Sequence, residues 1–140
     1  KKTVELVRAF HLEDKIIFSS FQPLNLMHAK RLLPEVPGAI LALPGRKGWW
    51  ARSFMLRGVS PHAVNPYYTD ASPEFIRRQH NFERKVNVWT VNEPGDLEHL
   101  VSAGVDGLIT DDPPAAFQAI QHSISQTASG PASSSSAPTW

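Results

Sequence analysis

The sequence predicts an α/β fold with a parallel sheet. Five short apolar runs typical of strands alternate with helical patterns, and successive runs start roughly 20–24 residues apart. Two of these runs, residues 39–43 and 107–110, are apolar throughout, which is typical of parallel strands covered on both faces. A closed (β/α)8 barrel needs about 250 residues, whereas the chain has 140. We therefore predict an α/β domain of about five parallel strands alternating with helices, too short to form a closed barrel.

The individual elements follow from apolar periodicity and from the residues that begin or end helices. Ser72 and Pro73 are a typical helix start, because serine caps the helix and proline needs no N–H partner in the first turn. Pro34, Gly58 and Gly104 are expected to end the helices that precede them. Strands are predicted at residues 15–20, 39–43, 63–66, 86–91 and 107–110, and helices at residues 3–10, 23–33, 49–56, 73–83, 94–103 and 113–123.

The composition excludes several kinds of site and partner. The 14 Lys and Arg residues balance 13 Asp and Glu residues, so we expect no nucleic acid or anionic membrane partner. The chain has no cysteine, which excludes disulfides and thiolate metal sites. No apolar run reaches the roughly 18–20 residues that span a bilayer, so no transmembrane segment is predicted. The composition leaves the cellular compartment open.

The pattern divides the chain into two parts. Residues 1–123 carry the alternating strands and helices and are predicted to form one domain. Residues 124–140 are rich in Ser, Ala and Pro and bury too little apolar surface to offset the entropy of ordering, so a disordered tail is predicted. The sequence enters an amphipathic pattern directly at its first residues, so we expect the chain to begin inside a domain.

The most specific motifs lie on the last two predicted strands. Residues 88–92 read Val-Trp-Thr-Val-Asn, and residues 104–113 read Gly-Val-Asp-Gly-Leu-Ile-Thr-Asp-Asp-Pro. With Ser-Ser-Phe at residues 19–21 and Ala-Val-Asn-Pro at residues 63–66, in this order and spacing, they resemble the glycerophosphodiester phosphodiesterase family over roughly residues 4–121. The resemblance implies that residues 1–123 are the C-terminal half of that family's barrel, a partial TIM (β/α) barrel of about five parallel strands alternating with helices. It also implies that the complete enzyme is a phosphoric diester hydrolase.

The resemblance also implies that the catalytic groups lie on earlier strands. In the family, two histidines act as general acid and base, and carboxylates hold a divalent metal, Ca or Mg, against the phosphate. The family's His-Arg, Glu-x-Asp and His-Asp motifs are absent from this sequence. Residues 13–15, Glu-Asp-Lys, have the spacing of its Glu-x-Lys motif, but they directly precede a predicted strand and are interpreted as a turn. We therefore predict no catalytic residue and no metal ligand in this chain.

The histidines and three aspartates are assigned structural or solvated positions. Asp106, Asp111 and Asp112 are interpreted as turn and helix-capping residues, and Gly107 as a point of close backbone approach. Each histidine is interpreted as a solvated surface group, because no two have the spacing of a catalytic pair or metal site: His11, His28, His62, His80, His99 and His122.

Phe21 and Trp89 are the candidate substrate-binding residues. Both follow predicted strands at their C-terminal ends, where barrels place their sites, and the resemblance implies aromatics that contact the glycerol or leaving-group side of the substrate. Ordinary core packing is the alternative for both. Asn65 and Asn92 are candidates for hydrogen bonding at the pocket rim, or for caps and turns. The segment 46–50, Arg-Lys-Gly-Trp-Trp, is either a lid or lipid-facing surface, or a helix face against the barrel.

Three hypotheses about function follow. The first is a metal-dependent hydrolase that cleaves glycerophosphodiesters to an alcohol and glycerol 3-phosphate, with this chain inactive alone. The second is a non-catalytic half-barrel that self-associates or pairs with a complementary chain, because five parallel strands leave two edges open. The third is another phosphate-handling barrel enzyme, which the Trp-Thr-Val-Asn stretch disfavours.

Overall fold

The computed structural model describes residues 2–48 and 61–128, with side chains described through residue 125. Strands and helices alternate along the chain, as predicted. The strands are β1 (Phe18–Ser20), β2 (Gly38–Ala42), β3 (Ala63–Pro66), β4 (Lys85–Val88) and β5 (Gly107–Leu108). The helices are α1 (Lys2–Ala9), α2 (Pro23–Leu32), α3 (Pro73–His80), α4 (Pro94–Ser102) and α5 (Pro113–Ala128), and a 3-10 turn spans Tyr68–Asp70.

The five described strands form one parallel sheet in the order β1-β2-β3-β4-β5. Each new strand is added beside the previous one and in the same direction. A doubly wound sheet would reverse its strand order at a switch point, whereas a (β/α) barrel adds strands in sequence. The predicted α/β partial barrel is therefore confirmed.

One face of the sheet packs against the helices. Side chains alternate between the faces of a strand, and the residues Ile40, Val64 and Val86 all point to this side, where each is fully buried. The helices complete the same core with apolar residues at helical spacing: Leu26 of α2, Phe75 and Ile76 of α3, Leu97 and Leu100 of α4, and Ala116 and Ala119 of α5. A smaller cluster joins α1 to the loop after α2 through Val4, Val7, Leu33 and Val36.

The opposite face of the sheet carries a row of polar side chains. Asn65 on β3 donates to Ser19 Oγ of β1 at 3.3 Å and accepts from Asn87 Nδ2 of β4 at 3.1 Å. Because Asn65 is 4% exposed, these bonds satisfy a buried amide. On β5 the register places Gly107 beside Asn87, and an added Cβ would lie 2.5 Å from the Asn87 Oδ1 atom. The predicted need for close approach at Gly107 is thus confirmed.

Several predicted helix ends are confirmed by their contacts. The N–H of Phe75 donates to Ser72 Oγ at 3.2 Å, so Ser72 caps α3. The N–H of Ala115 donates to Asp112 Oδ1 at 3.1 Å, so Asp112 caps α5. Gly104 follows α4 with φ +85°, a left-handed conformation that costs glycine little.

Other boundaries differ from the prediction. Helix α3 ends at His80 rather than near Glu83, which itself adopts φ 57° in the turn that leads into β4. Helix α5 continues to Ala128 instead of ending near residue 123, and the remainder of the predicted tail lies outside the described residues. The helix predicted at residues 49–56 also lies outside them. No helix in the described part of the chain is long and apolar enough to cross a bilayer.

Asp106 links three segments at the N-terminal ends of β4 and β5. Its Oδ2 atom accepts from the N–H of Val86 at 2.8 Å and lies 2.8 Å from His80 Nε2, while Oδ1 lies 3.6 Å from Lys85 Nζ. Desolvation alone would raise the pKa of Asp106. The bonds from Val86 and His80 and the charges of His80 and Lys85 outweigh it, so the pKa of Asp106 is lowered. Asp106 therefore lies in a turn, as predicted, and also contacts His80, whose side chain is 40% exposed.

Replacing Asp106 with asparagine is expected to make the free energy of unfolding less dependent on pH in acid. Because the pKa of Asp106 is lowered in the folded chain, the ionised carboxylate stabilises the fold at pH values above its unfolded-state pKa of about 3.9. This stabilisation is lost as the pH falls through the lower pKa of the folded chain. Asparagine keeps an acceptor oxygen for Val86 but does not titrate. Urea unfolding of both proteins between about pH 7 and about pH 2.5 measures the difference. Identical pH profiles would contradict this role of Asp106.

Candidate functional site

The candidate site lies at the C-terminal ends of the strands. All strands of a parallel sheet end on the same side, and a barrel places its binding groups there. Phe21 directly follows β1, Tyr67 directly follows β3, and Trp89 directly follows β4. Three aromatic side chains, each directly after a different strand, therefore lie at one edge of the sheet.

Trp89 is the centre of this aromatic group. Its ring centroid lies 5.7 Å from that of Phe21, with the ring planes at 81°. The Tyr67 ring lies 5.4 Å from Trp89 at 78°. Both arrangements are edge-to-face contacts, which the ring quadrupole favours. The structure thus brings together the two residues, Phe21 and Trp89, that the sequence singled out as candidates.

Backbone contacts fix the position of Trp89. Its Nε1 atom donates to the carbonyl of Asn65 at 2.8 Å, and its backbone N–H donates to the carbonyl of Pro66 at 3.2 Å. The carbonyl of Trp89 in turn accepts from the N–H of Tyr68 at 2.9 Å. Trp89 is half-buried, whereas Phe21 is 47% exposed. The indole is therefore held rigidly, while the Phe21 ring faces solvent at the edge of the group.

Tyr67 was not identified as a candidate from the sequence. The Asn-Pro pair before it indicated only the end of a strand, yet the residue after a strand end is the place where a barrel site begins. Its ring also lies 4.8 Å from that of Tyr68. The neighbouring Tyr67 raises the pKa of Tyr68 most, followed by desolvation and the carboxylate of Asp96. The Tyr68 hydroxyl therefore stays protonated near neutral pH.

Asn92 joins the loop after β4 to the loop after β5. It donates from Nδ2 to Asp111 Oδ2 at 2.9 Å, and its Oδ1 atom accepts from the N–H of Asp111 at 3.0 Å and from Thr110 Oγ1 at 3.2 Å. These bonds give Asn92 and Asp111 the turn role that was one of the sequence alternatives. Asn65 has neither predicted role, since it bridges strands within the sheet rather than lying at a rim or a turn.

Two of the described histidines have hydrogen bonds near the N-terminal ends of strands. His62 accepts from the N–H of Gly38 through Nδ1 at 3.2 Å, at the N-terminal end of β2. With His80 beside Asp106, two histidines therefore have structural contacts that their sequence positions did not reveal. Both lie at the opposite end of the strands from the aromatic group. Among residues 2–48 and 61–125, no three His, Asp or Glu side chains are grouped so as to hold a metal ion. Trp49 and Trp50 lie outside the described residues.

Comparison with known proteins decides the family. The model of the glycerophosphoryl diester phosphodiesterase family matches residues 1–115. The chain belongs to this family. The predicted family is confirmed, and its name identifies these proteins as phosphodiester hydrolases.

Two curated relatives show how much of such a protein the chain represents. It is 30% identical over 113 residues to a glycerophosphodiester phosphodiesterase of Caldanaerobacter subterraneus, covering 81% of this chain and 45% of the relative. It is 33% identical over 115 residues to an uncharacterized protein of Bacillus subtilis, covering 81% of this chain and 46% of that one. The chain therefore spans about half the length of the curated relatives it matches.

Solved structures of the family share the fold. A putative glycerophosphoryl diester phosphodiesterase from Silicibacter pomeroyi superposes with a TM-score of 0.78 at 26% identity, over 86% of this chain and 42% of that chain. An Oleispira antarctica phosphodiesterase, solved in complex with the product sn-glycerol-3-phosphate, superposes with a TM-score of 0.67 at 22% identity, over 88% of this chain and 47% of that one.

Proposed function

We propose that this chain is the C-terminal half of a barrel that hydrolyses glycerophosphodiesters to an alcohol and glycerol 3-phosphate. The observation that carries the proposal is the meeting of Phe21 and Trp89 at the C-terminal strand ends, with ring centroids 5.7 Å apart. In barrel enzymes the site is assembled at these ends from several strands. Residues 1–123 would form this half, and the Ser- and Pro-rich residues beyond α5 a tail.

The two aromatic side chains would bind substrate rather than perform chemistry. Phe21 is 47% exposed, so its side chain is accessible to a ligand. The indole of Trp89 is held by its bond to the Asn65 carbonyl, so that little side-chain freedom remains to be lost when substrate binds. A rigid apolar wall of this kind orients an organic group beside the reacting phosphate.

The acid, the base and the metal would come from the other half of the barrel. Among the residues that the structure describes, no three His, Asp or Glu side chains are grouped so as to hold a metal ion. In the complete enzyme, histidines would transfer the protons, and a divalent ion, Ca²⁺ or Mg²⁺, would neutralise charge on the phosphate. This half then supplies substrate contacts and closes the barrel.

The proposal is tested by assaying the chain alone and in a completed barrel. The completed barrel is this chain fused behind the N-terminal half of the Bacillus subtilis relative. Glycerol 3-phosphate release from glycerophosphocholine is measured with Ca²⁺ or Mg²⁺. We expect no release above the blank from the chain alone, and metal-dependent release from the completed barrel that chelation abolishes. Turnover by the chain alone, or a folded completed barrel without turnover, would refute the proposal.

Self-association is the second candidate function, and exposed apolar side chains on the two terminal helices favour it. Helix α5 exposes Phe117 by 62% and Ile124 by 64%, while Leu6 of α1 is 57% exposed. Among the described strands, β1 and β5 are each paired on one side only, and open edges pair readily with another chain. Light scattering after size exclusion should give a dimer or larger species that the double substitution Phe117→Glu and Ile124→Glu dissociates. A monomer at every concentration would count against this candidate.

A further inference from the structure

Four strands each contribute one residue to a row on the sheet face that points away from the helices. We call Ser19, Asn65, Asn87 and Gly107 the polar row. The side-chain amide of Asn65 is bonded at both ends, since it donates to Ser19 Oγ at 3.3 Å and accepts from Asn87 Nδ2 at 3.1 Å. Asn65 is 4% exposed, so losing either bond would leave a buried polar group without a partner. The orientation of this side chain is therefore fixed from two strands.

The polar row lies directly beneath the aromatic group at the strand ends. Side chains two positions apart on a strand point to the same face. Each aromatic residue follows a member of the row by two positions: Phe21 after Ser19, Tyr67 after Asn65, and Trp89 after Asn87. The carbonyl of Asn65 also accepts the indole N–H of Trp89 at 2.8 Å. Asn65 therefore joins the two layers, through its side chain in the row and its carbonyl at the indole.

Gly107 leaves the space in which the amide of Asn87 lies. The strand register places Gly107 beside Asn87, and a Cβ atom at position 107 would lie 2.5 Å from Asn87 Oδ1. A larger residue there would push this amide away from its bond to Asn65. The row can therefore be disturbed from β5, with every aromatic ring and Asn65 itself left unchanged.

We propose that Asn65 is a positioning residue, whose side-chain bonds to Ser19 and Asn87 hold its carbonyl where that carbonyl binds the indole of Trp89. The side chain and the carbonyl of Asn65 are joined at one Cα atom, so a shift of the first moves the second. The inference rests on the proposed function only for its consequence, which is that a fixed indole loses less freedom when substrate binds. Positioning itself involves only residues of this chain.

The test is hydrogen exchange of the Trp89 indole N–H, measured by NMR in the 140-residue chain and assigned from its absence in Trp89→Phe. Its rate is divided by that of the Val64 amide, which is fully buried in β3. Unfolding of the whole chain accelerates both signals, whereas a loosened indole accelerates only the first. We expect Gly107→Ala and Asn65→Leu to raise this ratio about tenfold, the effect of one lost hydrogen bond. Ser19→Ala should raise it about two- to fivefold.

Two control variants should leave the ratio unchanged. A Cβ atom at Gly95 of α4 would meet no atom within 4 Å, so Gly95→Ala adds the same methyl group without a clash. Ser19→Thr keeps the hydroxyl that Ser19→Ala removes. An unchanged ratio in Gly107→Ala and Ser19→Ala would overturn the proposal, and these two variants decide it if Asn65→Leu does not fold. The measurement involves no substrate, so its failure and an inactive completed barrel are separate results.

Discussion

Replacing Leu97 with alanine is expected to lower the free energy of unfolding by about 2–5 kcal/mol. Leu97 on α4 is fully buried and belongs to the cluster that joins the helices to the sheet through Val86 and Val88. The shorter side chain loses the burial of its methyl groups and leaves a cavity that the rigid sheet cannot fill. Urea unfolding followed by circular dichroism measures the loss.

Leu24→Ala is the matched control for this prediction. Leu24 lies on α2 and is 68% exposed, so the same substitution removes little buried surface. Leucine and alanine also have similar helix propensities. We expect a change within about 0.5 kcal/mol. Equal destabilisation by the two substitutions would contradict the assignment of the helix-covered core.

In the completed barrel, Trp89→Ala is expected to raise the KM for glycerophosphocholine about tenfold, with a smaller effect on kcat. The indole contacts Phe21 and Tyr67 and is fixed by the carbonyl of Asn65, so its removal opens one wall of the mouth. A contact with a non-reacting part of the substrate is present in both the ground state and the transition state, and its loss therefore acts mainly on KM. Tenfold corresponds to about 1.4 kcal/mol, within the range of an aromatic contact.

Steady-state kinetics of the completed barrel test this prediction against two other substitutions. Phe21→Ala should raise KM in the same direction and by a smaller factor, because Phe21 is the more exposed ring. Phe82→Ala, at the other end of the strands, should leave both constants unchanged. An unaltered KM in Trp89→Ala would show that the indole belongs to the core and does not contact substrate. Thermal unfolding of each variant checks that the fold is retained.

The order of elements was predictable because it depends on local patterns. Each of these patterns can be recognised from a few neighbouring residues: an apolar run, the cap at Ser72 and the glycine at position 104. The structure confirms each of them. The predicted strand boundaries also placed Phe21 and Trp89 at the C-terminal ends of their strands. Since parallel strands end on one side of the sheet, the two residues had to share one edge.

Contacts between distant residues were not predictable in the same way. The pairing of His80 with Asp106 joins residues 26 positions apart, and the bond from Asn65 to Ser19 joins residues 46 positions apart. Both depend on strand register, which no single motif specifies. Helix α3 ends at His80, and Glu83 in the following turn adopts a left-handed conformation that is uncommon for glutamate and that the sequence does not indicate.

Tyr67 shows the same limit at the candidate site itself. Its side chain reaches Trp89 because the two residues form an isolated parallel bridge just beyond β3 and β4. The sequence indicated that a strand ends just before Tyr67, but it did not indicate that the Tyr67 ring contacts Trp89.

An NOE measurement between the ring protons of Phe21 and the indole protons of Trp89 tests whether the two side chains meet at the C-terminal strand ends. We expect a cross-peak, because the ring centroids at the ends of β1 and β4 lie 5.7 Å apart. Cross-peaks between Ile40 and Val64, neighbours in the core, report that the sheet is intact. A folded chain that shows the core cross-peaks and lacks the one between Phe21 and Trp89 would show that these residues do not form one site.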